Sequence, residues 1–211
     1  MKIDYKIKEV QPNIFAVIVK DKYDLAMLFC RAQEYYESPN KKFNGKTFDF
    51  WDYMKWYAKK YKKGFSYMID WSGFNIPLEI IQECYHGLDF YFTPYDEHMN
   101  FIMDEIEGKG DCRLPKYIIG CNDIKGETFQ HEICHAKYSI DGKYKAKKDN
   151  LIKQIDKKHL KIFKNNLLKM GYARKVINDE IQAYLQYGYE MDCFGKGVEM
   201  KYREKYNKLF K

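Results

Sequence analysis

The chain has no C-x-x-C pair, and its six cysteines stand apart at positions 30, 84, 112, 121, 134 and 193. In a chain of 211 residues that scatter excludes a disulfide framework and a finger-type zinc site. Long apolar runs are missing too. The longest candidate, Ile14 to Val19, is far short of the roughly 20 residues a membrane-spanning helix needs. The opening MKIDYKIKEV is charged and lacks the apolar stretch of a secretory signal, so a cytoplasmic, reducing location is expected, with no membrane partner. There is no internal repeat, no low-complexity tail, and no RNP or helix-turn-helix pattern. Histidine is scarce, with five in all.

That scarcity gives weight to His131 and His135, which flank Glu132 in an H-E-x-x-H spacing. A chance match in such a chain is about a one-in-a-hundred event. On an α-helix, residues four apart share a face about one turn apart. Two imidazoles placed so can grip one Zn²⁺ at about 2.0–2.1 Å. Glu132 lies too far round the helix to join them comfortably, but it is well placed to take a proton from a metal-activated water. Upstream, the β-prone Tyr117 to Ile119 reads as a strand, and Asn122 or Asp123 as the cap of the metal helix. A catalytic zinc usually takes a third protein ligand and keeps one position open. Downstream, the amphipathic stretch Val176 to Leu185 offers Asp179 and Glu180.

With these residues, the chain resembles the gluzincin metallopeptidases, in which H-E-x-x-H on one helix is completed by a Glu on a later helix, often preceded by Asn or Asp. The resemblance implies His131, His135 and Glu180 as ligands of one Zn²⁺ per chain and Glu132 as general base, with Asp179 the rival third ligand. It also implies an α+β, mostly helical, zincin-like fold, with a small sheet packed on the metal helix and a following helix carrying the third ligand. Two departures stand out. The gap from His135 to Glu180 is longer than in compact gluzincins. Tyr184 also occupies the place where the best-known members put an Asp that steadies the first histidine, so another partner must do so. Tyr184, with Tyr187 and His159, is a candidate donor to a developing oxyanion. The segments Tyr35–Pro39 and Asp70–Asn75 also make the chain similar to a group of uncharacterised proteins encoded by bacteriophages and other large DNA viruses. That resemblance implies a viral source and a place in the host cytoplasm or the virion.

The remaining elements follow in order. Residues 1–110 read as a mostly helical lobe with one early strand, and 111–211 as the metal-binding region, together one compact domain. Ile14–Val19 is a buried strand. A helix runs from Asp21 or Asp24 to Ser38-Pro39, and Thr47 caps another over Phe48–Lys62 with Trp51, Met54 and Ala58 inward. Gly64–Pro77 reads as an aromatic Ω-type loop. It is pinned to the core, or else it lines a cleft with Trp71, Phe74 and Asn75. Helices follow at Leu78–Tyr85 and Asp96–Ile106. The metal helix breaks at Asp141-Gly142, and one long helix capped by Asp149 runs to Gly171. The helix from Ala173 to Tyr187 then carries Glu180, before a lysine-rich terminal helix.

Composition adds a moderate basic excess, +7 with pI near 8.9. Its densest run, Lys143 to Lys158, reads as a solvated helix surface rather than a phosphate-binding face. Cys134 reads as an apolar filler on the core side of the metal helix. The expected activity is zinc-dependent hydrolysis of a peptide or protein substrate, and the strand at Tyr117–Ile119 is a candidate edge for pairing with an extended peptide. The alternatives are a non-catalytic zincin scaffold that binds a host or viral partner, and a basic protein that associates with nucleic acid. The oligomeric state is not encoded in any pattern of the chain.

Overall fold

A computed structural model describes residues 2–71, 73–86, 92–170, 172, 174–188, 194–195 and 197–211. The protein is α+β and mostly helical, with one four-stranded mixed sheet. It divides into two compact units, Met1–Ile124 and Lys125–Lys211.

The first unit holds the sheet, in the order β1-β2-β4-β3. Strand β1 (Tyr5–Gln11) pairs antiparallel with β2 (Ile14–Val19), β2 pairs parallel with β4 (Tyr117–Cys121), and β4 pairs antiparallel with β3 (Phe74–Pro77). The inner strands β2 and β4 are almost wholly buried. This is why their sequences run continuously apolar rather than alternating. Strand β1 lies at the edge and alternates Tyr5, Ile7 with Lys6, Lys8, the charged pattern that discourages edge pairing. Asn13, at φ 59° in the turn between β1 and β2, donates through Nδ2 to the carbonyls of Asp111 and Leu114 at 2.9 and 3.1 Å. One asparagine therefore fixes both the hairpin and the approach to β4.

Helix α1 (Lys22–Glu37) is the centre of this unit, with Leu25 through Glu34 buried without a break. It packs on the sheet and on α3 (Tyr67–Asp70), α4 (Leu78–His86) and α5 (Pro94–Glu107). A helix buried all round must satisfy its polar side chains internally. Arg31 does so with a two-pronged pair to Asp96, Nε–Oδ1 and Nη2–Oδ2 both at 2.9 Å, and by donating to the Phe48 carbonyl. Asp96 also accepts from Tyr85 and from the Thr93 cap of α5.

Several expectations change here. The early lobe has β1 and β3 in addition to the expected strand, because a lysine-alternating edge and a four-residue strand both carry weak apolar signals. The supposed Ω-loop folds as α3 and β3. Helix α2 (Phe50–Tyr61) is capped by Asp49, not Thr47, and buries Phe50, Tyr53 and Tyr57. Trp51 is 66% exposed, and Met54 and Ala58 are half-buried. Residues 111–124, including β4, belong with the first unit. Because β3 covers the second side of β4, Tyr117–Ile119 offers no free edge to a peptide.

Among the described residues the second unit is built of helices: α6 (Glu127–Ile140), α7 (Gly142–Lys153), α8 (Lys157–Met170), a 3₁₀ turn (Arg174–Val176), α9 (Ile177–Gln186) and α10 (Met200–Phe210). Helix α9 is the hub, packed by α6, α7, α8 and α10. Its core joins Ile181 and Leu185 of α9 to Ile152, Phe163, Leu167, Tyr206 and Phe210. The single long helix expected after Asp149 is two helices. Asp141 caps α7, and Asp156 accepts from the backbone of Lys158 and His159 at the start of α8. Asp149 instead accepts from the Tyr138 hydroxyl at 2.6 Å. The expected stop at Gly171 and start at Ala173 lie outside the described residues. Among the described residues, no helix is long and apolar enough to cross a membrane.

Candidate metal centre

The N-cap of helix α6 is Gly126, at φ 92° and without a side-chain cap, not Asn122 or Asp123 as expected. Its H-E-x-x-H face brings His131 and His135 together with their Nε2 atoms 3.1 Å apart. The tautomers follow from the partners. His131 Nδ1 lies 2.9 Å from the Tyr187 carbonyl, which can only accept, so Nδ1 carries the proton. His135 Nδ1 lies 3.0 Å from Asp179 Oδ1, and a carboxylate likewise accepts. Both Nε2 lone pairs therefore converge on one point, an arrangement stable only with a proton or a cation between them.

Glu180, on α9 and 9% exposed, brings Oε2 to 3.8 Å from His135 Nε2. Donor atoms of His131, His135 and Glu180 all lie within 4.8 Å of one another. Tetrahedral zinc with bonds of about 2.0–2.1 Å needs donors about 3.3–3.4 Å apart. The three residues thus fit a zinc ion after a modest adjustment of the Glu180 side chain. Asp179, the rival ligand, sits instead on the far nitrogen of His135, the usual place of a carboxylate that orients a metal-binding histidine.

Charge follows the same geometry. Burial, with the neighbouring His135 charge, pulls His131 down to about 4. Burial also opposes charge on His135, but Asp179, Glu180 and Glu132 more than offset it and push His135 up to about 10. One proton on His135 therefore serves as the cation between the rings, and a bound divalent metal would replace it. Burial holds the Cys134 thiol protonated, pushed up to about 11. With 3% exposure, Cys134 is the apolar filler its position implies.

The catalytic candidates are placed as follows. Glu132 is half-buried, next to His131 on α6. The Tyr184 ring meets His131 edge-on at 4.7 Å, and its hydroxyl lies 2.9 Å from that of Tyr172. Tyr184 therefore packs against the first histidine, while the Tyr187 carbonyl does the steadying. His159 does not join this group, since its Nδ1 faces the Tyr206 hydroxyl at 2.9 Å. In the first unit, Phe74 is buried against Phe29, and Asn75 accepts from Tyr117. Phe74 and Asn75 are thus pinned to their own core rather than open as a cleft wall, whereas Trp71 is 41% exposed and stacks on Tyr67.

Sequence reasoning missed Tyr172. Burial, Glu180, Tyr184 and Glu132 together raise its hydroxyl well above the ordinary tyrosine range, so it stays a proton donor beside the cluster. It also missed the polar residues behind Asp179, namely the buried Gln182, Gln186 and Lys148 and the half-buried Tyr144. Their signal was the polar stripe Asp179, Gln182, Gln186 at helical spacing. The chain matches no protein family, no curated protein and no solved structure.

Proposed function

We propose that this protein is a zinc-dependent hydrolase of gluzincin type acting on peptide bonds. The carrying observation is the convergence of His131 Nε2, His135 Nε2 and the Glu180 carboxylate, with both histidines oriented from behind. Zinc held by His131, His135 and Glu180 would supply a Lewis acid and a water made acidic enough to react near neutral pH. The chain's own residues do the rest. Glu132 takes the proton of the attacking water and passes it to the leaving amine. The Tyr172 hydroxyl, held protonated and hydrogen-bonded to that of Tyr184, can donate to the oxygen on which charge develops. Tyr187 and Asp179 keep the ring nitrogens aimed.

The test is Glu132→Gln. The variant should keep about one zinc per chain and lose peptide hydrolysis by at least about 100-fold, the usual scale of a positioned general base. Full activity in the variant sinks the mechanism. Stoichiometric zinc without hydrolysis of any peptide, in wild type as well, would instead favour the non-catalytic scaffold.

A second reading, association with nucleic acid, draws on charge distribution. Residues 125–211 carry 20 Lys and Arg against 11 Asp and Glu, whereas residues 1–124 carry 17 against 19. A groove of about 340 Å³ on α8 is lined by Lys157, Lys161, Lys164 and Arg174 over Leu160 and Leu168. The Lys143–Lys158 run is not one solvated face, because Lys148 is buried. The groove has no aromatic platform for bases, so this reading is limited to backbone phosphates.

A further inference from the structure

The buried lysine of the second unit has an unusual set of partners. Lys148 is 3% exposed, and among the described residues no carboxylate forms an ion pair with it. Its ammonium donates to Gln186 Oε1 at 2.8 Å and to the Phe210 carbonyl. That carbonyl belongs to the last turn of α10, the negative end of a helix. An ammonium can only donate, so Gln186 must turn its oxygen toward Lys148. The Gln186 NH₂ then faces Gln182 Oε1 at 2.8 Å and the Tyr144 hydroxyl at 2.8 Å. Tyr144 in turn donates to Gln182 Oε1 at 3.1 Å. With its oxygen occupied twice, Gln182 can only present NH₂ to Asp179 Oδ1, at 2.9 Å. Asp179 is thereby left as acceptor for His135 Nδ1–H at 3.0 Å.

From Lys148 through Gln186 and Gln182 every donor points toward Asp179, which accepts from Gln182 on one side and from His135 on the other. Neither glutamine amide has a direction of its own. Gln182 is 0% and Gln186 6% exposed, so solvent does not set them either. The Lys148 end is anchored further, since Asn207 of α10 donates to the carbonyls of Leu185 and Gln186 at the end of α9.

We propose that Lys148 is a positioning residue of the metal centre: it fixes the polarity of a buried relay through Gln186 and Gln182 to Asp179, and so couples docking of the C-terminal helix to metal affinity. The inference rests on the metal reading of His131, His135 and Glu180. Losing Lys148 removes the donor that holds the Gln186 oxygen, and a Gln186 turned over sets that oxygen against Gln182 Oε1, straining Gln182 between Gln186 and Asp179. A reversed Gln182 would set oxygen against the Asp179 carboxylate and disturb the orientation of His135. Groups behind a metal-binding histidine typically control affinity by about 10–100-fold. Linkage also requires the reverse effect, that metal should tighten α10.

The experiment uses the full chain. Zinc affinity is measured by chelator competition for wild type, Lys148→Met, Tyr144→Phe and the exposed neighbour control Lys147→Met. Amide hydrogen exchange of α10 is followed with and without zinc. Expected are a 10–100-fold weaker affinity in Lys148→Met, a smaller loss in Tyr144→Phe and none in Lys147→Met. Zinc should slow α10 exchange in wild type but not in Lys148→Met. A merely structural lysine would loosen α10 equally with and without metal. Tyr144→Phe removes one hydroxyl from a half-buried ring, and it keeps the test alive if Lys148→Met fails to fold. Unchanged affinity in both variants overturns the relay while leaving the metal centre standing. Absence of zinc from wild type overturns both.

Discussion

Asp179 and Glu180 are adjacent in sequence, yet the structure gives them different tasks, and two substitutions separate those tasks. Asp179 accepts from His135 Nδ1 at 3.0 Å, behind the imidazole, whereas Glu180 reaches toward the Nε2 side. In Asp179→Ala the three proposed ligands remain, but His135 loses the partner that fixes its tautomer. Loss of such a partner costs about 10–100-fold in affinity, or about 1.4–2.7 kcal/mol. At zinc about 1,000 times the wild-type dissociation constant, wild type gains about 4 kcal/mol. Asp179→Ala should retain only the remainder. For a helical unit of this size, 1 kcal/mol moves the unfolding midpoint by about 4–8 °C, so the zinc-induced shift should shrink by about 6–20 °C. Glu180→Gln removes an anionic ligand and should abolish stoichiometric zinc at the same concentration. The assay is a chelator-competition titration paired with thermal scans at matched free zinc. If Glu180→Gln binds within about threefold of wild type while Asp179→Ala binds nothing, the assignments are reversed and the geometric reasoning is wrong.

Other consequences are equally open to measurement. Asp96→Ala should destabilise the first unit by about 3–5 kcal/mol in urea unfolding, because it strands the Arg31 guanidinium, whose side chain is 1% exposed. A loss under about 1 kcal/mol would mean the pair is hydrated in solution. Burial pulls Lys148 down to about 8 from 10.5, so the unfolded chain binds the extra proton between those values and stability contributed there rises with pH. Relative to Lys148→Met, wild type should gain about 2 kcal/mol between pH 7 and 9.5, and a flat difference would show that the ammonium is solvated. Any binding of single-stranded nucleic acid should fall steeply with salt and vanish in Lys161→Glu/Lys164→Glu. Binding that survives this double reversal would place the contact elsewhere than the α8 groove.

How far the sequence led depends on the physical range of each signal. The histidine pair was legible because helical spacing alone decides which side chains share a face, and the amphipathic segment placed Asp179 and Glu180 together on a second helix, with Glu180 preferred only through the family resemblance. Both signals are local. Asp179's role was not legible, since whether a carboxylate meets the near or the far nitrogen of an imidazole depends on how α6 and α9 pack. The same holds for the Tyr187 carbonyl, because a backbone group leaves no mark in the sequence. The inner strand β2 announced itself by continuous apolar character, while β1 and β3 were hidden by lysine alternation and by brevity. The break between α7 and α8 was missed because apolar residues recur at helical spacing on both sides of it, and only Asp156 marks the new start. Lys148 looked like one more member of a basic run, and its burial follows from the partners around it.

The position of α9 in the chain has a consequence for biosynthesis. The proposed third ligand and both groups that aim the histidines, Asp179 and the Tyr187 carbonyl, come from this one helix and its final cap. During translation His135 emerges 45 residues before Glu180. At about 5–20 residues per second, the histidine pair waits several seconds for everything that would let it discriminate among cations. A nascent or truncated chain ending before α9 offers only two unaimed imidazoles, open to whichever soft ion is abundant. Selectivity at the proposed metal centre would therefore be acquired late and all at once, and any metal recovered with the protein should report how the chain matured as well as what the site prefers.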